Sequence, residues 1–183
     1  MSKLTHEELI TRLNYDPETG VFTWLERTIE SFATGKRQSQ AARCKMWNDR
    51  YAGKTAGHTW ENGRIYIMIN KRPYYASRLA WMYVHGDMPI LEVDHIDCDP
   101  LNNSISNLRL ATRSQNLANT RKKAGRTSKY KGVYWQKHTQ KWMARIQVKG
   151  KSLYLGIFDS EEEAHAAYCK SAKEHFGAFA RAS

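Results

Sequence analysis

This sequence has few cysteines, no long apolar run and a long stretch without any acidic residue. Cys44, Cys98 and Cys169 are scattered and form no Cys-x-x-Cys pair, which argues against a disulfide framework and a zinc knuckle. We therefore expect free thiols. No segment approaches the roughly 18 to 20 apolar residues of a membrane span, and "MSKLTHEELI" lacks the apolar core of a signal peptide. We expect a cytoplasmic protein without a membrane partner.

The stretch without acidic residues lies in one part of the chain. Between Asp99 and Asp159 there is no acidic residue, while thirteen Lys or Arg residues fall there, and the net charge of the whole chain is +11. Such a one-sign stretch predicts a polyanionic partner, either a nucleic acid or an anionic membrane. A solvated basic face kept for solubility is the alternative, but mixed signs would serve solubility better.

The first half of the chain contains short, recognisable elements. Thr5 and Glu8 fit a capping box that opens a short helix, and "VFTW" indicates a strand. Residues 25–51 show no clear period and are interpreted as a long connection or an insertion. "GRIYIMIN" and "RPYYAS" predict a hairpin around Asn70 and Lys71, and "SRLAWMYVHG" predicts a helix that ends at Gly86.

The second half predicts three strands followed by a helix. The strands are "YKGVYWQK", "KWMARIQVK" and "KSLYLGIF", and the helix begins at Ser160 with Glu163 completing a capping box. The strands alternate aromatic residues with Lys and Arg and carry no carboxylate. A sheet with one face on a helix leaves the other face free, and cations and aromatic rings on that face suit a DNA groove. Core packing is the alternative for single rings such as Trp142 and Tyr154.

This second half resembles the plant APETALA/ethylene-response-factor DNA-binding domain. The resemblance is carried by Gly132-Val133, Lys141-Trp142, the segment 154–159 and the segment 162–168. It implies the fold and docking on DNA, but Tyr134, Gln136 and Gln147 stand where the plant domains usually have contacting arginines, and Arg145 replaces an acidic residue. The DNA-contacting residues predicted on this module and on the basic linker before it are Arg121, Lys122, Lys123, Lys131, Tyr134, Gln136, Arg145, Gln147 and Lys151.

The segment 91–116, "LEVDHIDCDPLNNSISNLRLATRSQN", predicts a strand, a polar loop, a second strand and a helix opened by Thr112 and Gln115. Hydrolysis of a phosphodiester needs a base for water and a cation for the phosphate. His95 suits the first role, and the carboxylate of Asp94 with the amide of Asn116 suits Mg²⁺ better than zinc. Asn107 could accept a proton from the other imidazole nitrogen and so fix the tautomer.

Simpler readings exist for the same residues. Asn102 and Asn103 are interpreted as turn residues, and Asp97 and Asp99 as residues that shape the loop. Asp94 and His95 could form a structural ion pair, and Asn116 could be a surface amide of its helix. Adjacent strand residues also face opposite ways, so Asp94 and His95 can share one site only where the strand ends. The following "IDCDP" favours such an end.

The segment "VDHIDCDPLNNSISNLRLATRSQNLAN" closely resembles the HNH nuclease family, in its phage and intron homing-endonuclease branch. The resemblance implies His95 as general base, Asp94 and Asn116 as ligands of one divalent metal, and Asn107 as the residue that orients the loop and His95. The metal is expected to be Mg²⁺, with Mn²⁺ as the alternative. Asn116 stands in place of the final histidine of the motif. Arg109 and Arg113, near the motif, are candidates for binding a phosphate.

The sequence therefore predicts an α+β protein with three parts. Residues 1–120 form a ββα-metal HNH domain with its core at about 91–120, residues 121–129 a basic linker, and residues 130–183 a βββα DNA-binding domain. We expect a metal-dependent homing-type endonuclease that cuts double-stranded DNA as a monomer or weak homodimer in a bacterial or phage-infected cell. A non-catalytic DNA-binding regulator is the main alternative, and an RNA-binding protein has only the charge in its favour.

Overall fold

The computed structural model describes residues 3–34, 38–121 and 127–181 and divides into two compact units, residues 1–109 and 110–183. The first unit contains helices α1 (His6–Ile10), α2 (Gln40–Tyr51) and α3 (Ala76–His85) and strands β1 (Leu13–Tyr15), β2 (Phe22–Trp24), β3 (His58–Thr59), β4 (Ile65–Ile69), β5 (Arg72–Tyr75) and β6 (Glu92–His95). Strand β7 (Leu108–Ala111) leads into the second unit, which contains α4 (Arg113–Asn119), β8 (Val133–Gln136), β9 (Lys141–Val148), β10 (Lys151–Phe158) and α5 (Glu161–Phe176).

The cysteines are all free thiols, as the sequence predicted. Cys44 is buried, and Cys98 and Cys169 are half-buried. Among the described helices, none combines the length and apolar character that crossing a bilayer requires.

The hairpin and helix predicted in the first unit are confirmed. Strands β4 and β5 are antiparallel, with Ile69 opposite Arg72. Asn70 and Lys71 between them have φ values of 52° and 63°, and two consecutive left-handed residues give the turn whose twist matches that of the flanking strands. Helix α3 follows directly and ends at Gly86, which caps it in the left-handed conformation with φ 88°.

The core of the first unit joins α1, the β1–β2 hairpin, β4 and α3. The fully buried side chains Leu9, Leu13, Phe22, Ile67 and Leu79 form its centre. Burial of this apolar surface is the main favourable term for folding. The β1–β2 hairpin is thereby fixed to the rest of the unit, and its turn is available to support other loops.

Residues 25–51 contain a twelve-residue helix, α2, which the sequence did not predict. Ser39 caps its N-terminus by accepting the N–H of Ala42 at 3.2 Å. Its contact with the preceding chain is aromatic and polar: Arg27 Cζ lies 4.0 Å from the centre of the Trp47 ring, and that ring packs edge-on against Trp24. Asn48 accepts the N–H of Arg27 at 3.0 Å and donates to its carbonyl at 2.9 Å. Because the inner face of α2 mixes polar and aromatic residues, its helical period is weak in the sequence.

The second unit has the predicted three strands and helix. Its antiparallel strands lie in the order β10-β9-β8. Ser160 and Glu163 form the expected capping box at the start of α5. The buried small face of this helix, with Ala164, Tyr168 and Ala172, packs on one face of the sheet, where Val133, Ala144 and Ile146 are buried.

Helix α4 belongs to the second unit. Its residue Ala118 is buried in one cluster with Ile146, Tyr168, Ala172 and Phe176. The division between compact units consequently falls within β7, after Arg109, earlier than the boundary at residue 120 drawn from the sequence. The domain boundary at residue 120 stays a prediction, while the compact units divide after Arg109.

Substitution of Gly20 by alanine is expected to destabilise the protein far more than the same change at Gly53. Both glycines have φ +73°, but a Cβ at Gly20 would lie 2.3 Å from the carbonyl carbon of Asn103, whereas a Cβ at Gly53 would meet nothing within 4 Å. Gly53→Ala should cost about 1–2 kcal/mol of backbone strain, and Gly20→Ala about 1–3 kcal/mol more. Thermal unfolding of the two variants measures the difference, and equal midpoints would contradict it.

Candidate functional site

His95 is the last residue of β6 and is buried, with 6% of its surface exposed. The strand ends there because the chain turns at once, and the N–H of Cys98 donates to the His95 carbonyl at 3.0 Å. The strand end required for Asp94 and His95 to serve one site is therefore present.

The imidazole of His95 contacts the side chain of Asn103, with Nε2 and Oδ1 3.1 Å apart. The orientation of the amide follows from its other end, because Asn103 Nδ2 donates to the Leu101 carbonyl at 3.2 Å. An amide oxygen can only accept, so Nε2 of His95 carries the proton. In the neutral ring Nδ1 is then the nitrogen that carries the basic lone pair.

The surroundings of His95 favour its neutral form. Burial lowers the pKa of His95, and the positive charge of Arg64 lowers it further, while the Asn103 hydrogen bond and the carboxylates of Asp97 and Asp94 act in the opposite direction. The net shift is downward from the ordinary value. A neutral imidazole near pH 7 is the state that can act as a base.

Asn107 fixes the loop between β6 and β7. Its Oδ1 accepts the N–H of Asp97 at 3.1 Å, and its Nδ2 donates to Asp97 Oδ1 at 3.0 Å and to the Asn102 carbonyl at 2.8 Å. Asp97 also accepts hydrogen bonds from Asp99 N–H and Asn102 Nδ2, both at 2.8 Å. Although burial alone would raise it, these hydrogen bonds lower the pKa of Asp97. The loop is thus held by an ionised carboxylate.

The β1–β2 hairpin supports the same loop from outside the motif. The Tyr15 hydroxyl donates to the Asn103 carbonyl at 2.8 Å, and the N–H of Ile105 donates to the Pro17 carbonyl at 3.0 Å. Burial raises the pKa of Tyr15 to about 12, so the hydroxyl keeps its proton. Because Gly20 has no Cβ, the backbone of the hairpin turn can approach the backbone of Asn103 closely. Sequence reasoning did not identify this support.

Asp94 lies beside His95 in the chain and is buried, with 4% of its surface exposed. Arg109 Nε donates to its Oδ2 at 2.8 Å. This ion pair compensates the buried charge, which would otherwise be costly. Arg109, expected as a phosphate contact, is therefore bonded to the proposed metal ligand.

The donor atoms available here fit a hard divalent cation. Within the described residues no group of three or more His, Cys, Asp or Glu could hold a metal, which is unfavourable for zinc. A carboxylate oxygen has lone pairs beyond the one used by Arg109, and one carboxylate with one amide oxygen is a donor set that Mg²⁺ accepts, because it keeps several waters. Asn116, the proposed second ligand, lies half-buried on α4 in the second unit. Its role as a ligand stays a prediction.

The free face of the β8–β9–β10 sheet collects most of the predicted DNA contacts. Tyr134 pairs with Met143, Arg145 with Tyr154 and Gln147 with Ser152. Cross-strand partners share a face, and these positions alternate with the buried Val133, Ala144 and Ile146. The predicted contacts that lie on the face away from α5 are Tyr134, Gln136, Arg145 and Gln147.

A basic groove continues from this face along α4. It has a volume of about 600 Å³ and brings Arg113 of α4 together with Tyr134, Arg145, Gln147 and Lys149. Its positive side chains are suited to phosphate oxygens. Arg113 was chosen from the sequence because it is close to the segment 91–116. In the structure it lines a groove together with residues of the β8–β9–β10 sheet.

The remaining predicted contacts have other positions. Lys151 is exposed next to the β9–β10 turn and pairs with Val148, on the side of the sheet that carries α5. Arg121 follows α4 and is exposed, while Lys122 and Lys123 lie outside the described residues. Lys131 directs its ammonium at the end of α4, where Nζ donates to the Ala118 carbonyl at 2.6 Å.

Asn103 is the site residue that sequence reasoning misjudged. Interpreted as a turn residue, it is 1% exposed and contacts His95 directly. Asn107 was expected to orient both the loop and His95; its hydrogen bonds to Asp97 and Asn102 hold the loop, and its effect on His95 stays a prediction. Two adjacent asparagines in "DPLNN" look alike in a sequence, and only the loop's path separates them.

Comparisons with known proteins cover both halves of the chain. A family model described as HNH endonuclease matches residues 74–118, and one described as AP2 domain matches residues 128–178. The chain is 33% identical over 103 residues to Protein 3.8 of Escherichia phage T7, an alignment that covers 56% of this chain and 84% of the phage protein.

Two further relatives are matched over a smaller share of their own length. An uncharacterized HNH endonuclease of Acanthamoeba polyphaga mimivirus is 36% identical over 100 residues, or 54% of this chain and 51% of the viral protein. An ethylene-responsive transcription factor of Arabidopsis thaliana is 29% identical over 147 residues, or 70% of this chain and 34% of the plant protein.

Removal of the Asn103 side chain is expected to slow DNA cleavage about 10- to 100-fold, as loss of a partner that orients a site residue commonly does. Asn103→Ala frees the His95 ring to change tautomer and orientation, so the fraction of correctly protonated base falls. Leu101→Ala, which trims an exposed side chain of the same loop, is the control. Cleavage rates that are equal in both variants would show that the Asn103 contact has no part in the reaction.

Proposed function

Since this chain belongs to the HNH endonucleases and carries an AP2 DNA-binding domain behind the nuclease motif, we propose that it hydrolyses phosphodiester bonds of double-stranded DNA with one divalent metal. The observation that carries this proposal is the buried His95, whose lowered pKa favours the neutral ring and whose Nε2 donates to Asn103, so that Nδ1 is the basic nitrogen.

In the proposed reaction His95 Nδ1 takes a proton from water as the water oxygen attacks phosphorus. The bond between phosphorus and the 3′ oxygen breaks, and the 3′ oxygen leaves with the electron pair. Asn103 accepts from Nε2–H throughout, so the imidazolium that forms keeps its orientation. Asn107 and Asp97 hold the loop that presents Asn103.

Asp94 and Asn116 would hold the metal, which when bound supplies positive charge for the scissile phosphate and the leaving oxygen. Arg109 orients the Asp94 carboxylate through its 2.8 Å bond. Mg²⁺ is the preferred ion for this donor set, with Mn²⁺ as a substitute.

The AP2 domain would supply most of the affinity for DNA. The free sheet face and the basic groove present Arg113, Arg145 and Lys149 to phosphates, while Tyr134 and Gln147 are placed to reach base edges. A homing role in the cytoplasm of a bacterial or phage-infected cell would fit this activity. The enzyme would act as a monomer or weak homodimer.

Supercoiled plasmid tests the nuclease directly. The wild-type protein should nick or linearise it with Mg²⁺ and fail with EDTA, and His95→Ala should cut about 10²- to 10⁴-fold more slowly because the general base is lost. His175→Ala, which changes an exposed histidine on α5, is the matched control. Duplex binding should survive in both variants.

Tight duplex binding without any metal-dependent cutting by the wild-type protein would overturn this assignment in favour of a non-catalytic regulator. Equal loss of binding and cutting in His95→Ala would identify a structural histidine instead. The ratio of nicked to linear product also shows whether one strand or both are cut.

Arg145→Ala is expected to weaken DNA binding several-fold and to reduce the slope of log K against log salt by about 0.9, the value for one lost phosphate contact. Arg145 lies on the free sheet face and lines the basic groove. Lys173→Ala, an exposed cation on α5, is the charge-matched control. An identical slope in both variants, measured by fluorescence anisotropy from low to high NaCl, would exclude this face from the interface.

A further inference from the structure

Lys131, expected from the sequence to contact DNA, reaches the C-terminal end of α4 instead. Its Nζ donates to the carbonyl oxygens of Ala118, Thr120 and Leu117 at 2.6, 2.9 and 3.0 Å. The last carbonyls of a helix have no partner within the helix and carry partial negative charge. A lysine ammonium has three N–H groups, and here three carbonyls lie within hydrogen-bond distance.

Helix α4 depends on such external contacts because it has only seven residues. Isolated helices shorter than about 12–15 residues are marginal in water. Besides Lys131, the helix is held by the buried Ala118 and by Ser114, whose hydroxyl accepts the N–H of Lys149 at 3.2 Å. These contacts come from Lys131 before β8, from Lys149 in the β9–β10 turn and from the buried cluster of β9 and α5 residues around Ala118. We call them the α4 seat.

The orientation of α4 determines where the Asn116 amide points. Asn116 lies between Ser114 and Ala118, the two residues through which the helix is seated. Successive residues of a helix are about 100° apart, since a turn has about 3.6 residues. A small rotation or fraying of so short a helix therefore moves the amide by several ångströms.

We propose that Lys131 is a positioning residue of the nuclease, and that the AP2 domain builds the α4 seat which holds the Asn116 amide in place for the metal. The inference rests on the proposed function, in which Asn116 is a metal ligand. It assigns to the DNA-binding module a second task besides affinity. Lys131 acts in it as a helix cap, and phosphate binding falls to other cations of the sheet and groove.

The test uses the full chain with Lys131→Met, Lys131→Arg and the control Lys137→Met, which removes an exposed lysine of the same module. Mn²⁺ is titrated without DNA and followed by its paramagnetic resonance signal. Hydrogen exchange of the α4 amides and duplex affinity in EDTA over a NaCl series are measured on the same proteins.

Lys131→Met should raise the half-saturating Mn²⁺ concentration about tenfold and speed exchange of the α4 amides about tenfold, as loss of hydrogen bonds to a charged group does. Duplex affinity and its salt slope should change no more than in Lys137→Met. Lys131→Arg, whose guanidinium can still donate to the carbonyls, should recover most of the Mn²⁺ affinity.

The opposite pattern would overturn the inference. A weaker duplex affinity with a salt slope reduced by about one, and unchanged Mn²⁺ binding, would make Lys131 a phosphate contact. Should Lys131→Met fail to fold, Ser114→Ala removes a different contact of the seat and must weaken Mn²⁺ binding in its place. A wild-type chain that neither binds Mn²⁺ nor cuts DNA would refute the proposed function itself, whereas normal wild-type behaviour with Mn²⁺ affinity unaltered in the variants would refute only the seat.

Discussion

The hydrogen bond between the buried imidazole of His95 and the amide of Asn103 is the constraint around which the first unit is arranged. A buried polar group without a partner is costly. The side chain of Asn103 must therefore be held in a fixed position and a fixed orientation. The Leu101 carbonyl sets the orientation of its amide, and the Tyr15 hydroxyl sets the position of its backbone. The β1–β2 hairpin, distant in sequence, thus supports the residue that orients the imidazole.

Local signals in the sequence were sufficient for much of the fold. The capping boxes at Thr112 and Ser160 and the left-handed pair at Asn70 are encoded within a few residues, and the structure contains all three. Helix α2 was missed because its inner face mixes polar and aromatic residues, and part of its packing is the contact of Arg27 with Trp47. Asn103 was misjudged because turn residues and buried hydrogen-bond partners share the same composition. Only contacts across the loop distinguish them.

Counting positive charges predicted the partner better than it predicted individual contacts. Arg145 and Gln147, chosen by their positions in the APETALA resemblance, lie together on the face away from α5. Arg109, chosen for its closeness to the nuclease motif, and Lys131, chosen from the basic sheet, are bonded to a buried carboxylate and to helix carbonyls. A cation in a basic protein can neutralise the protein's own oxygens as readily as those of a nucleic acid, and burial of its partner decides which. The sequence carries no direct record of that burial.

The packing of α4 on the AP2 sheet also affects how such a protein can be recombined. A chimaera designed from domain boundaries would be joined in the basic segment around residues 121–129, and would place a foreign sheet beneath α4. Its new sheet would lack a matched lysine and a matched pocket for Ala118. A junction within β7, where the compact units divide, would keep the helix with its native support. Retargeting by module exchange therefore has to transfer a helix of the cutting motif along with the part that reads DNA.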